Sequence, residues 1–220
     1  MKILAFDTSS SACSVALQHD EVVHTLHTIA PMQQTKLILP MIQEVLDTAS
    51  LTLNQLDAIA YSCGPGSFTG IRIASSVAQG IGLAVGLPII QISSLAAIAQ
   101  TAFMERQWTT LLVALDARMD QIYWARYKIN PAGLAEIAGQ EVLCAPEAIP
   151  LDATIGPEVA AVGEGWEKYG DRITTRLGFS VPAMHSAQLP HARAILALAK
   201  VKFDQADWVS AACAAPTYLR

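Results

Sequence analysis

Charge is what this sequence is shortest of. Only 15% of its 220 residues are Asp, Glu, Lys or Arg, against about a quarter in an ordinary soluble domain, while 52% are apolar. Such a chain is either mostly core or has apolar surface that a partner covers. The net charge of −5 argues against a broad cationic surface for nucleic acid and leaves room only for a small local basic patch. The four cysteines, Cys13, Cys63, Cys144 and Cys213, stand far apart with no C-x-x-C, so they read as small core residues of a cytosolic protein. Long apolar runs are missing too. The stretch from Ile73 to Ile90 is interrupted by Gln79, two serines, three glycines and Pro88, which predicts a buried helix and strand, not a membrane span. Lys2 precedes a short strand-like run ending at Asp7, which is no signal peptide, and the expected location is the cytoplasm.

The patterns of common catalytic machinery are also missing. A metal site on a helix wants two histidines one turn apart and an acid. Here His19, His24 and His27 fall in a strand region, with His24 and His27 on opposite faces, and His185 and His191 are six apart. There is no G-x-S-x-G, and no cysteine has a basic neighbour to lower its pKa. The glycine-rich stretch CGPGSFTG, Cys63 to Gly70, lacks the lysine of a Walker phosphate loop.

What is present is a repeated α/β pattern. KILAFD (2–7), ACSVALQ (12–18) and EVVHTLHTI (21–29) predict an antiparallel meander. Leu37, Met41, Ile42, Val45 and Leu46 predict a helix over Gln33 to Ala49, kinked or broken early at Pro40. A strand over 56–64, a helix over 69–86, a strand over 87–93 and a helix over Ser94 to Met104 follow. The pattern then restarts: TLLVALD (110–116), the turn ARMD and QIYWARYKI (121–129) repeat strand–Asp–turn–strand, which predicts an internal duplication. Residues 130–185 read weakly apart from a short strand near Ala160–Val162, and a last helix is expected over His185 to Lys200.

Three features invite a functional reading beside a structural one. In DTSSSACS (7–14), Asp7, Thr8 and Ser9 suit magnesium phosphate, as in actin-like and sugar-kinase-like folds, or a polar hairpin turn bonded to its own backbone. GPGSFTG suits a phosphate cradle or a tight turn that seats the next helix, with Ser67 or Thr69 as its cap; the tight turn is favoured. Gly70, Ala74, Ala78, Gly82 and Gly86 form a small-residue stripe that admits a close helix neighbour, in this chain or in another. The charged turn of Asp116, Arg118 and Asp120 reads as solvated, with Arg118 able to pair with an acid or an anion.

ILAFDTSSSACSVAL, LILPMIQEVL, GPGSFTGIRIA and LDARMDQIYWA, in this order, together with APTYLR at the end, closely resemble the bacterial TsaB (YeaZ) family. The likeness is weakest from about 130 to 210. It implies the actin-like, Hsp70-like ATPase (ASKHA) fold, with two related lobes, each a mixed sheet flanked by helices. The expected lobes are 1–105 and 106–220, the last helix or tail packing back on the first. It implies an accessory role in making threonylcarbamoyladenosine in tRNA, beside the anticodon. The transferase would be the TsaD-type paralogue, with a TsaE-type ATPase in the assembly and tRNA bound through the complex. The family was once grouped with glycoproteases, and no peptidase or other chemistry is expected of this chain. Where the catalytic paralogue carries its histidine pair, this chain reads MQQTKLILP, and Gln33 and Gln34 cannot replace imidazoles. No cofactor is then required, Asp7, Thr8 and Ser9 being a vestigial phosphate loop that leaves ATP or ADP binding open. The rival reading is an ATP-binding phosphotransferase or ATPase of the same fold. The family's interfaces, with the paralogue and in a homodimer, resemble a helical bundle of the first two helices, which points to Leu37, Met41, Val45, Gly70, Ala74, Ala78 and Gly82.

Overall fold

The computed structural model describes residues 1–151 and 155–219. The chain divides into two compact units, Met1–Ala97 with Pro190–Thr217, and a second built on Ile98–Leu189. The division therefore falls inside a helix rather than at 105/106, and the last helix belongs to the first unit.

In the first unit, β1 (Lys2–Asp7), β2 (Ala12–His19) and β3 (Val22–Ile29) form the expected meander. α1 (Gln34–Ala49) follows, then β4 (Ala58–Gly64), α2 (Phe68–Val85) and β5 (Ile89–Ser93). The sheet order is β3-β2-β1-β4-β5, with β1, β4 and β5 parallel. Strand alternation sorts the residues by face. Leu4, Phe6, Val15, Leu17, Ile59 and Tyr61 meet Ile38, Ile42 and Val45 of α1 and Ala74 and Ala78 of α2. Ile3, Ala5, Ala16, Ala58 and Ala60 meet Ile195 and Ala199 on the other face, where four alanines let the last helix lie close. Each fully buried Leu, Ile or Phe in these two layers contributes about 1.5–3 kcal/mol. α1 runs through Pro40 as one helix, so of the expected kink or early break the break does not occur. Pro40 is exposed, and so is Lys36, whose carbonyl is the one that Pro40 leaves without a helical donor.

α3 (Ser94–Arg106) leads to the second unit, where β6 (Thr110–Arg118) and β7 (Gln121–Ile129) repeat the opening hairpin. β8 (Ala135–Ile137), β9 (Val142–Cys144), β10 (Ala160–Val162), α4 (Gly165–Leu177) and β11 (Ala183–His185) complete it. The order β11-β10-β6-β7-β8 has β6, β10 and β11 parallel and β6, β7 and β8 antiparallel, which is the plan of the first sheet over again. The duplication is thus real, and the fold is α/β with two mixed sheets flanked by helices, the actin-like plan.

Two corrections concern the second half. α4 lies in the stretch that read weakly. Its buried residues Trp166, Tyr169 and Ile173 pack on Leu112, Ala114 and Trp124, and the Trp166 indole N–H donates to the Leu112 carbonyl at 3.0 Å. The last helix, α5, spans Ala192–Asp204 rather than starting at His185. Pro190 lies just before it, and His191 caps it by accepting the Arg193 N–H through Nδ1 at 3.1 Å.

Candidate functional site

The β1–β2 turn and the glycine loop do come together, and they fill each other. Asp7, Thr8 and Ser9 are 0, 0 and 4% exposed. The Thr8 hydroxyl donates to the Gly70 carbonyl at 2.7 Å, and the Ser67 N–H donates to the Ser9 carbonyl at 2.8 Å. A Cβ at Gly66 would stand 2.6 Å from the Ser9 carbonyl oxygen, and one at Gly70 would run into that of Thr8. The two glycines are therefore required by close backbone approach. Ser67 caps α2, accepting the Gly70 N–H through its hydroxyl at 3.3 Å. GPGSFTG is a seat for α2 pressed onto the β1–β2 turn.

Inside this seal one acid is buried. Asp7 Oδ1 accepts from the Ser9 hydroxyl at 2.6 Å, from the Ser9 N–H at 3.2 Å and from the Ser62 hydroxyl, while Oδ2 is buried without a hydrogen-bond partner. Burial pushes the carboxyl up to about 6, against the pull of the Ser62 and Ser9 hydroxyls and the Ser9 N–H. Gln34, in the histidine-poor segment, ties α1 to the same turn through an Nε2 bond of 2.7 Å to the Ser10 carbonyl. Among the described residues no three His, Cys, Asp or Glu side chains are grouped to hold a metal.

The residues expected to form a partner interface lie elsewhere than expected. Ala74 and Ala78 are wholly buried, Met41 and Val45 are 7 and 2% exposed, Gly70 and Gly82 are also buried, and Leu37 is half-buried. Gly82 packs beside Ile89 and Ala211. The small stripe serves the chain's own core: it lets the sheet and the closing segment approach α2. That segment is strapped down by the Ser75 hydroxyl donating to the Ala214 carbonyl at 3.1 Å and by the Thr217 N–H donating to that of Cys63 at 2.7 Å. What α1 and α2 turn outward is an open groove lined by Leu39, Phe68, Arg72, Ile73, Ser76 and Val77. Leu39 and Phe68 are 55 and 60% exposed, and the Arg72 guanidinium stands 3.7 Å from the Phe68 ring centre. Residue size marked the stripe in the sequence. The groove's signal was the complementary one, large apolar residues on the opposite side of the same two helices.

Comparison with known proteins gives this site its setting. Residues 28–194 match the model of the family described as TsaD, tRNA N6-adenosine threonylcarbamoyltransferase, which sets the class. Within that class, the tRNA threonylcarbamoyladenosine biosynthesis protein TsaB of Escherichia coli K12 is 38% identical, over 100% of this chain and 95% of the relative. The protein of that name from Haemophilus influenzae is also 38% identical, over 100% and 94%. The structure of YeaZ from Pseudomonas aeruginosa, 38% identical, superposes with a TM-score of 0.90 over 99% of both chains. The chain belongs to the TsaB (YeaZ) family.

Proposed function

We propose that this chain works in the cytoplasm in the synthesis of threonylcarbamoyladenosine in tRNA, as the non-catalytic partner that binds and activates a TsaD-type transferase. A TsaE-type ATPase joins the assembly, and tRNA reaches the chain through it. The groove on the outward face of α1 and α2 carries this reading, since it presents apolar side chains on a chain short of charge. A partner that binds one state of the transferase better than another shifts it toward that state, which is activation without chemistry. Phe68→Glu places a charge in the groove and leaves the core untouched. Titration calorimetry with the purified transferase is expected to show affinity falling about tenfold or more. Unchanged affinity would contradict the docking face.

One observation favours a second reading, an ATP-binding phosphotransferase or ATPase: the buried Asp7 Oδ2 without a partner, in the turn that meets phosphate in related folds. Titration of the isolated chain with magnesium ATP separates the two. The scaffold reading requires no tight binding, whereas tight binding lost in Asp7→Ala would favour the nucleotide reading and place its site.

A further inference from the structure

Residues 208–217 lie on the first unit as an extended peptide lies on a receptor. They are irregular apart from the single turn Ala211–Cys213. Ahead of that turn, Val209 exchanges two backbone bonds of 2.9 Å with Ile89 on the edge strand β5. Beyond it, side chains hold the segment by its backbone. The Ala214 carbonyl accepts from the Ser75 hydroxyl at 3.1 Å and from the Gln79 side-chain amide, both on α2. The next carbonyl, that of Ala215, accepts from the Tyr61 hydroxyl at 3.1 Å and from Gln91 Nε2 at 2.7 Å. A carbonyl oxygen offers two lone pairs, so four donors fill two successive carbonyls. Ala211 and Ala214, three apart, are 6 and 0% exposed, with Ala211 seated against Gly82. Last, the Thr217 carbonyl oxygen stands 2.7 Å from where a Cβ on Gly64 would be.

Most of these contacts bear on α2 or on the approach to it. Cys63 and Gly64, which meet Thr217, open the loop that carries Phe68. Ser75 and Gln79 flank Ser76 and Val77, which line the outward groove. Thr35, Ile38 and Leu39 of α1 form the other wall of that groove, so its width depends on where α2 stands. α1 is anchored separately, by Gln34 on the Ser10 carbonyl and by Ile38, Ile42 and Val45 on the sheet. We propose that residues 208–217 are a built-in peptide ligand that sets the position of α2, with Ser75 and Gln79 as positioning residues for the docking face, on the reading that this face receives the transferase. A groove already held at its bound width costs less to fill than one that must first be ordered. The segment therefore raises affinity through α2 rather than through contacts of its own with the partner.

Titration calorimetry with the purified transferase, alongside hydrogen exchange of the full chain, tests this. Ser75→Ala with Gln79→Ala removes both α2 donors and leaves the groove side chains in place. Ala214→Leu instead overfills the seat of the segment and keeps every donor. Each chain is expected to bind the transferase about tenfold more weakly, with faster exchange at the Thr217 amide. A synthetic peptide of residues 208–217, added in excess, should then occupy the seat in the Ala214→Leu chain and restore most of the affinity. The same peptide with Ala214→Leu should not, and the native peptide should not rescue the double variant. The double variant decides the matter even if the Ala214→Leu chain fails to fold. Variants that bind like the unaltered chain overturn the proposal, as does unchanged exchange at Thr217 or a loss in Ala214→Leu that the native peptide leaves unrepaired. Phe68→Glu, run beside them, keeps the two readings apart. If it binds as well as the unaltered chain, the docking face fails and the proposal with it; if it alone weakens binding, only the role of the segment fails.

Discussion

The two hairpin turns of this protein occupy the same place in two copies of one sheet plan and have opposite surroundings. Asp7 ends β1 under the glycine loop, wholly buried, and burial raises its carboxyl to about 6. Asp116 sits near the end of β6, its side chain 11% exposed. Burial pushes it up as well, but the Arg118 N–H at 2.9 Å, the Lys168 ammonium at 3.3 Å and the Tyr169 hydroxyl outweigh that and hold it below the ordinary carboxylate range. Above Asp7 the chain presses two glycines onto the turn. Beside Asp116 it runs through Arg118, Met119 and Asp120 in left-handed backbone, with Met119 92% exposed. A shared topology therefore fixes where an acid stands, and its neighbours fix what that acid does.

The contrast can be broken most forcefully on the sealed side. Ala78→Arg drives a guanidinium into the fully buried layer between α2 and the sheet, and Gly70→Val adds a side chain where the Thr8 carbonyl stands. Each is expected to cost about 4 kcal/mol or more, enough to leave little folded protein in a thermal melt. A folded Ala78→Arg protein that merely lost its partner would restore the stripe as an interface.

Next comes pH. The native pKa of Asp7 lies above its unfolded value, so its contribution is fully present below about pH 4 and is lost as pH rises through about 6. The expected loss is roughly 3 kcal/mol, and Asp7→Asn should flatten the stability profile over that window. Asp116 has the opposite sign. Its lowered native pKa adds stability above the ordinary carboxylate range, and that stability is lost as pH falls through the native value. Asp116→Asn should therefore cost about 1 kcal/mol at neutral pH and less in acid. Equal pH responses from the two variants would erase the comparison. An effect of the same size is expected from Thr8→Val, about 1 kcal/mol in a denaturant melt for the bond to the Gly70 carbonyl.

Much of this was legible in the sequence because alternation and helical spacing are direct consequences of burying one face. β1, β2, β3, α1 and the β6–β7 hairpin follow those patterns closely. α4 did not, since Gly165, Gly170, Ile173, Thr174 and Thr175 give it weak helix propensity, and contacts of Trp166, Tyr169 and Ile173 stabilise it instead. The spacing of those three residues, at three and then four, was the available sign. Pro190 could likewise have moved the start of α5. The stripe on α2 was visible, but its direction was not: small residues permit close approach without naming the neighbour. The seal over Asp7 was equally hidden, because it depends on a contact between residues about sixty positions apart.

The most direct test of the central claim is synthesis of the modified nucleoside in vitro. Purified transferase, ATPase, tRNA and threonylcarbamoyl donor would be combined with this chain, with its Asp7→Asn or Phe68→Glu variant, or without it, and the nucleoside read by mass spectrometry. The account predicts that product depends on the chain, survives Asp7→Asn and falls with Phe68→Glu. Product that forms equally without the chain, or that is lost with Asp7→Asn and kept with Phe68→Glu, would contradict it.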